Sequence, residues 1–95
     1  MNAITQFWES LFASKHTMHI NIPEEHVDAT IEILSRHSCR ERNAREVNDD
    51  RTVQLCYLAP GRELGAVVAE LTAYCNAAKI TARPYSLFSN WFENR

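Results

Sequence analysis

The chain has 95 residues, a formal net charge of −2 and 45% hydrophobic residues. This length predicts one domain over residues 1–95 with a modest core, and chains of this size often gain stability by self-association. With 23% charged residues, two glycines and three prolines, the composition excludes a disordered chain. It also gives no overall electrostatic drive toward nucleic acid or membranes.

The cysteines indicate a reducing compartment. Cys39, Cys56 and Cys75 are odd in number and far apart in the sequence, so we interpret them as free thiols that behave as small hydrophobic side chains. No basic and apolar leader opens the chain, and no apolar run approaches the roughly 18 residues of a membrane span. We therefore expect a cytoplasmic protein without a membrane span.

The first predicted element is an amphipathic helix within residues 1–16, and its apolar side is unusually aromatic. The apolar residues recur at helical spacing over residues 3–14. They are Ile4, Phe7, Trp8, Leu11 and Phe12. Three interpretations of this helix are open: it packs on its own domain, it docks on a partner or a second subunit, or it lies on a membrane surface. The membrane interpretation is disfavoured because the polar side lacks the basic residues that bind lipid headgroups.

Residues 17–88 predict an α/β core. Residues 17–22 alternate between apolar and polar, which predicts a half-buried strand, and Pro23-Glu24-Glu25 then favours the start of a helix that runs to about residue 38. Residues 39–50 are polar and contain the turn signal Asn48-Asp49-Asp50. We therefore expect a mobile loop there rather than a strand.

The second half of the core predicts strand, helix and strand. Residues 52–57 alternate again, Ala59-Pro60-Gly61 breaks the pattern, and apolar residues then recur at helical spacing over residues 61–79. Backbone amides at such a corner can bind an anion, but Pro60 removes one amide, so we interpret the corner as a capping turn. Pro84 confines the last strand, residues 80–88, to a sheet edge or ends it early.

The C-terminal tail, residues 89–95, contains Trp91 and Phe92. Two large aromatic residues so close to the end of a chain predict docking, either back on the domain or on a partner.

The order of these elements predicts a small α/β sandwich. In this interpretation the N-terminal helix is followed by β-α-β-α-β, with a three-stranded sheet and two helices on one of its faces. Each strand–helix–strand unit would join parallel strands. The alternative is a ferredoxin-like α+β sandwich, which requires a fourth edge strand between residues 39 and 50.

No recognised catalytic, cofactor or metal motif is present in the sequence. We therefore predict no cofactor, no metal and no enzymatic activity. The remaining enzyme hypothesis is a small enzyme in which His19 or His37 acts as a general base. A concave pocket around either histidine would favour it, and a flat surface would exclude it.

Four arginines within ten residues form the main charged feature: Arg36, Arg40, Arg42 and Arg45. If the segment were helical, glutamates four residues away would neutralise three of them. The segment is thus a salt-bridged surface, a contact for an acidic protein, or a contact for nucleic acid.

These features together predict a small non-catalytic protein-binding module of the adaptor, inhibitor or regulator type. We expect it to dock on a partner protein and to form a homodimer or another homo-oligomer. The predicted anchors are the terminal aromatic residues Phe7, Trp8, Phe12, Trp91 and Phe92. The arginines would steer an acidic partner surface. The alternative is a nucleic-acid-binding regulator that uses residues 36–45.

Overall fold

The computed structural model describes residues 15–85. The strands are β1 (Lys15–Pro23), β2 (Arg40–Val47), β3 (Thr52–Pro60) and β4 (Lys79–Pro84), and the α-helices are α1 (Val27–Arg36) and α2 (Leu64–Tyr74). A single 3-10 turn precedes each helix, at Glu24–His26 and Gly61–Glu63. Both turns follow a proline, Pro23 and Pro60, because proline fixes the backbone angle but cannot continue a strand ladder.

The four strands form one sheet in the order β2-β3-β1-β4, and every neighbouring pair is antiparallel. The strands joined through a helix, β1 with β2 and β3 with β4, run parallel but are not neighbours. In each unit one strand from the other unit lies between them. This is the split strand–helix–strand arrangement of a ferredoxin-like sandwich.

The predicted small α/β sandwich is confirmed, in the form that has a fourth edge strand. The expectations of a three-stranded sheet and of a loop over residues 39–50 are wrong, because Arg40–Val47 is a strand. Its polar composition resembles a loop because β2 is an edge strand with almost every residue exposed, Val47 at 69%. Two register shifts, between Glu41 and Asn43 and between Asn43 and Glu46, also break the alternation.

The core lies between the two helices and one face of the sheet, which we call the helical face. Alternate residues of β1 and β3 point into it because side chains alternate along a strand. These residues are Met18, Ile20, Ile22, Val53, Leu55, Tyr57 and Ala59, all at most 6% exposed. The helices contribute Val27, Ile33, Leu34, Val67 and Leu71.

The ends of several elements differ from the sequence predictions. The helix predicted over residues 61–79 ends at Tyr74, because Cys75 adopts an extended backbone. Residues 15 and 16, which were assigned to the N-terminal helix, belong to β1. The prediction for Pro84 is confirmed, because β4 is an edge strand and ends at that residue. The predicted N-terminal helix and aromatic tail lie outside the described residues.

Candidate functional site

The opposite face of the sheet, which we call the distal face, is polar and basic. It consists of the strand residues that alternate with the core residues, together with their partners across the ladder. On the two central strands these are Lys15, Thr17, His19, Asn21, Gln54, Cys56 and Leu58. The edge strands contribute Arg40, Asn43, Glu46, Lys79, Thr81 and Arg83.

Residues directly opposite one another in the ladder form rows across the distal face. One row runs from Arg40 through Leu58 and Thr17 to Arg83, so that both of its ends are arginines. Such partners lie side by side on the same face. The pairing of strands thus places on one surface positive charges that are widely separated in the sequence.

Arg42 also lies on the distal face. Its Nη1 atom donates a hydrogen bond to Thr17 Oγ1 at 3.2 Å, and its guanidinium carbon lies 5.1 Å from the centre of the Tyr85 ring. Thr17 is only 1% exposed. The arginine therefore reaches across β3 from the edge of the sheet, and its bond compensates the buried hydroxyl.

The charges on the two sides of the described chain differ in sign. The distal face carries five cations and one carboxylate on its strands: Lys15, Arg40, Arg42, Lys79, Arg83 and Glu46. The helical segments carry six carboxylates and two arginines: Glu24, Glu25, Asp28, Glu32, Glu63, Glu70, Arg36 and Arg62. The described part of the chain therefore has an acidic side and a basic side.

The structure separates the four arginines that the sequence grouped together. Arg36 lies on the helical side, where its Nη2 is 2.7 Å from Glu70 Oε2. Arg40 and Arg42 lie on the distal face, whereas Arg45 acts on the core residue Tyr57: burial chiefly raises the pKa of the Tyr57 hydroxyl, and Arg45 lowers it by a smaller amount. The helical ion pairs expected within residues 41–46 do not form, because that segment is a strand and residues four apart are not neighbours there.

A second basic feature, which we call the basic hollow, lies at one end of the sheet. It is lined by Lys15, Ser38, Arg40, Leu58, Pro60 and Arg62. Sequence reasoning missed it because its three cations come from three separate elements. The only available signal was Arg62 at the corner after β3, which had been interpreted as a capping turn.

His37 joins the two helices and is not suited to act as a base. It caps the end of α1, its Nδ1 lies 2.9 Å from Glu63 Oε2, and its Nε2 lies 2.8 Å from Glu70 Oε1. Two carboxylate partners require a proton on both nitrogens. The hydrogen bond with Glu63, followed by that with Glu70, raises the pKa of His37 above its ordinary value. The imidazolium therefore holds α1 against α2 and has no lone pair to accept a proton.

His19 lies in a concave part of the distal face. The lining of this hollow includes Thr17, His19, Thr81, Ala82 and Arg83, and the His19 Nδ1 atom is buried with no hydrogen-bond partner among the residues that the structure describes. The concavity required by the enzyme hypothesis is thus present at His19. No carboxylate among the described lining residues orients the ring, as a general base requires.

The three cysteines are free and buried, as the sequence predicted. Cys39 and Cys75 belong to the core, whereas Cys56 lies on the distal face, where Asn43 Nδ2 approaches its sulfur at 3.7 Å. Burial, with a smaller effect from Glu63, raises the pKa of Cys39 to about 11. Such a thiol is a poor nucleophile at neutral pH.

Within residues 15–85, no group of three or more histidine, cysteine, aspartate or glutamate residues is arranged to hold a metal ion. Neither α-helix in that range has the length and apolarity needed to cross a membrane. The five predicted aromatic anchors, Phe7, Trp8, Phe12, Trp91 and Phe92, lie outside the described residues, and their role stays a prediction.

The protein is a small α+β sandwich, and the distal face of its sheet is basic. No family model matches the chain, and no curated protein sequence matches it. Among solved structures, the chain is similar to a DUF3240 family protein from Shewanella baltica OS155. The TM-score is 0.52 and the sequence identity is 11%, over 76% of this chain and 90% of that chain. At this identity the likeness concerns the fold alone.

Proposed function

We propose that the protein is a small non-catalytic binding module, of the adaptor, inhibitor or regulator type, that docks its distal face on an acidic surface of a partner protein. The observation that carries this proposal is the charge of that face, five cations against one carboxylate on its strands. Complementary charge steers encounter and selects partners more than it adds raw affinity.

The arrangement of the distal face also supports docking. Lys15, Arg40, Lys79 and Arg83 are exposed and lie at its margins, whereas Thr17 and Cys56 at its centre are buried. Apart from Arg42, whose guanidinium is hydrogen-bonded to Thr17, the charges surround uncharged residues, and this resembles protein interfaces, in which charge is depleted at the core.

Three further parts of the proposal rest on the sequence. The terminal aromatic residues would supply the apolar anchors that a basic surface alone lacks. Self-association through those residues would give a homo-oligomer. Three free cysteines in a chain of 95 residues favour the cytoplasm or another reducing compartment.

The positive charge of the distal face can be cancelled by two substitutions at exposed positions of β4. We expect Lys79→Glu together with Arg83→Glu, both on the exposed edge strand β4, to abolish capture of the partner from extracts of the source cell. Wild-type and variant chains with different isotope labels allow the captured proteins to be compared by mass spectrometry. The partner is identified as a protein captured by the wild type and lost from the variant.

Arg45→Glu provides a control for charge reversal at one position away from the distal face, and Lys79→Glu and Arg83→Glu made singly are compared with it. Arg45→Glu should leave capture intact. If the double variant and Arg45→Glu both capture the same proteins as the wild type, the distal face is not the docking surface. Circular dichroism confirms that each variant is folded.

A nucleic-acid-binding regulator is the second candidate, because the same cations are able to contact phosphates. Four-stranded RNA-binding sheets stack bases on aromatic side chains of the exposed face. Among the described residues, Tyr57 points into the core, and the Tyr85 ring beside the distal face is already in contact with the Arg42 guanidinium. A gel-shift titration separates the candidates: binding to single-stranded RNA that falls steeply with salt supports the nucleic-acid function.

A further inference from the structure

The basic hollow contains three positive charges, and none of them forms an ion pair with a carboxylate of residues 15–85. Lys15 begins β1, Arg40 begins β2, and Arg62 lies in the 3-10 turn after β3. None of the three forms an ion pair or a side-chain hydrogen bond among the described residues. Glu63, which follows Arg62, is bound to His37 instead.

The register of the strands explains why these charges converge. On one edge of β3, Lys15 of β1 pairs with Pro60, and on the other edge Arg40 of β2 pairs with Leu58. Leu58 and Pro60 are two residues apart and therefore lie on the same face of the sheet. β3 thus separates the two cations, and its side chains Leu58 and Pro60 form an apolar floor between them. Arg62 follows directly after β3 ends and closes the third side.

Ser38 supplies an uncharged donor to the same hollow. It follows the end of α1 in the left-handed backbone conformation, with φ of 60°, which favours glycine. The amide of the next residue, Cys39, donates to Leu34 O at 2.9 Å and closes the helix end. Ser38 lines the hollow, and its hydroxyl has no hydrogen-bond partner among the described residues.

We propose that the basic hollow binds a phosphate-type dianion, either free phosphate or the phosphate group of a small phosphate monoester. Two guanidinium groups present paired N–H donors that match the oxygens of phosphate, and a lysine and a hydroxyl complete the donor set. The hollow has a volume of about 190 Å³. This is smaller than the roughly 300 Å³ of the smallest pockets for drug-sized ligands, so it suits a compact anion.

The hollow shares Lys15 and Arg40 with the distal face, but the docking experiment changes only Lys79 and Arg83 on β4, which do not line the hollow. Phosphate binding and partner capture therefore succeed or fail separately.

The test is titration of the ¹⁵N-labelled full chain with inorganic phosphate, followed by NMR, with ionic strength held constant with sodium chloride. We expect saturable shifts of the amides of Ser38 and Arg40 and of the arginine side-chain Nε–H signals. Arg40→Ala and Arg62→Ala should each weaken binding about threefold to tenfold. Shifts that do not saturate, or that sodium chloride reproduces, would overturn the proposal.

Arg45→Ala is the matched control, since it removes the same charge from the same strand outside the hollow. Equal weakening by Arg45→Ala and Arg40→Ala would show that only net charge matters and would contradict a defined site. A second arm uses glycerol 3-phosphate. Tighter binding than inorganic phosphate assigns the site to a monoester, whereas weaker binding assigns it to the free ion.

Ser38→Gly separates binding from folding. Glycine relieves the left-handed conformation, so the urea midpoint should rise, whereas loss of the hydroxyl should weaken phosphate binding. A variant that is more stable and binds phosphate equally well would remove Ser38 from the site.

Discussion

The two faces of the sheet consist of neighbouring residues of the same strands, yet they are organised by different interactions. On the helical face, Leu55 and its neighbours are excluded from water and pack against the helices. On the distal face, Gln54 is exposed and the surrounding charges are mostly positive. One residue along β3 separates a core position from a surface position, because successive side chains point in opposite directions.

The difference shows how a short chain can use one face of its sheet for stability and the other for recognition of a partner. Apolar burial on one face supplies the free energy that holds the fold together. The other face is then available for charges, which contribute little to stability but determine which surfaces can approach. The helical side is also tied by polar contacts, at His37 with Glu63 and Glu70, and at His26 Nδ1 with the Tyr74 hydroxyl at 2.8 Å.

The largest expected effect is the difference in stability between two truncations, one on each face of the sheet. Leu55→Ala should lower the free energy of unfolding by roughly 2–5 kcal/mol, because a fully buried side chain leaves a cavity. Gln54→Ala, its neighbour on the distal face, should change that free energy by less than about 0.5 kcal/mol. Urea denaturation followed by circular dichroism measures both. Similar losses in the two variants would mean that the distal face also forms part of the core.

Two buried threonines allow a finer comparison. Thr30 in α1 is 0% exposed and its hydroxyl has no hydrogen-bond partner within residues 15–85, whereas the Thr17 hydroxyl accepts a hydrogen bond from Arg42. Thr30→Val should raise the free energy of unfolding by about 1 kcal/mol, because it removes an unpaired buried group. Thr17→Val should lower it by about 1 kcal/mol, because it removes a bonded one. If both changes have the same sign in urea denaturation, the assigned partners are wrong.

The smallest effect concerns pH and the tie between the helices. The pKa of His37 is raised above 6.5, so its contribution is complete below pH 6.5 and is lost as the pH rises through the folded value. The hydrogen bond with His37 is the main reason why the pKa of Glu70 is lowered below 4.5. The contribution of Glu70 is therefore complete above pH 4.5 and is lost as the pH falls through the lower pKa of the folded state. The tie should therefore stabilise the fold most between about pH 4.5 and pH 6.5.

The control for this prediction separates titration from simple loss of a contact. His37→Gln should remove the decline in the urea midpoint that the wild type shows above pH 6.5. Arg36→Gln removes one partner of Glu70 but leaves the imidazole, so the decline should persist. An NMR titration of the His37 ring gives its pKa directly, and a value at or below 6.5 would contradict the tie.

The arginines show how far sequence reasoning reached toward the site. Their abundance was visible in the sequence, and Arg40 and Arg42 do lie on the candidate surface. Lys15, Arg62 and Arg83 were not recognised, because only the ladder and the corner after β3 bring them near those arginines. Arg36 was grouped with them by proximity in sequence, but the end of α1 places it beside Glu70 on the other side of the sheet.

The sequence by itself determined the three apolar strands, the two amphipathic helices, the break at Pro60 and the edge position of the strand that ends at Pro84. Each of these depends on local periodicity or on backbone restrictions of single residues, which neighbouring residues alone reveal. Tertiary structure alone decided that the polar segment Arg40–Val47 joins the sheet, and that strands linked through a helix are separated by a third strand. Those outcomes depend on which distant strand offers a free ladder edge, and local sequence does not record that information.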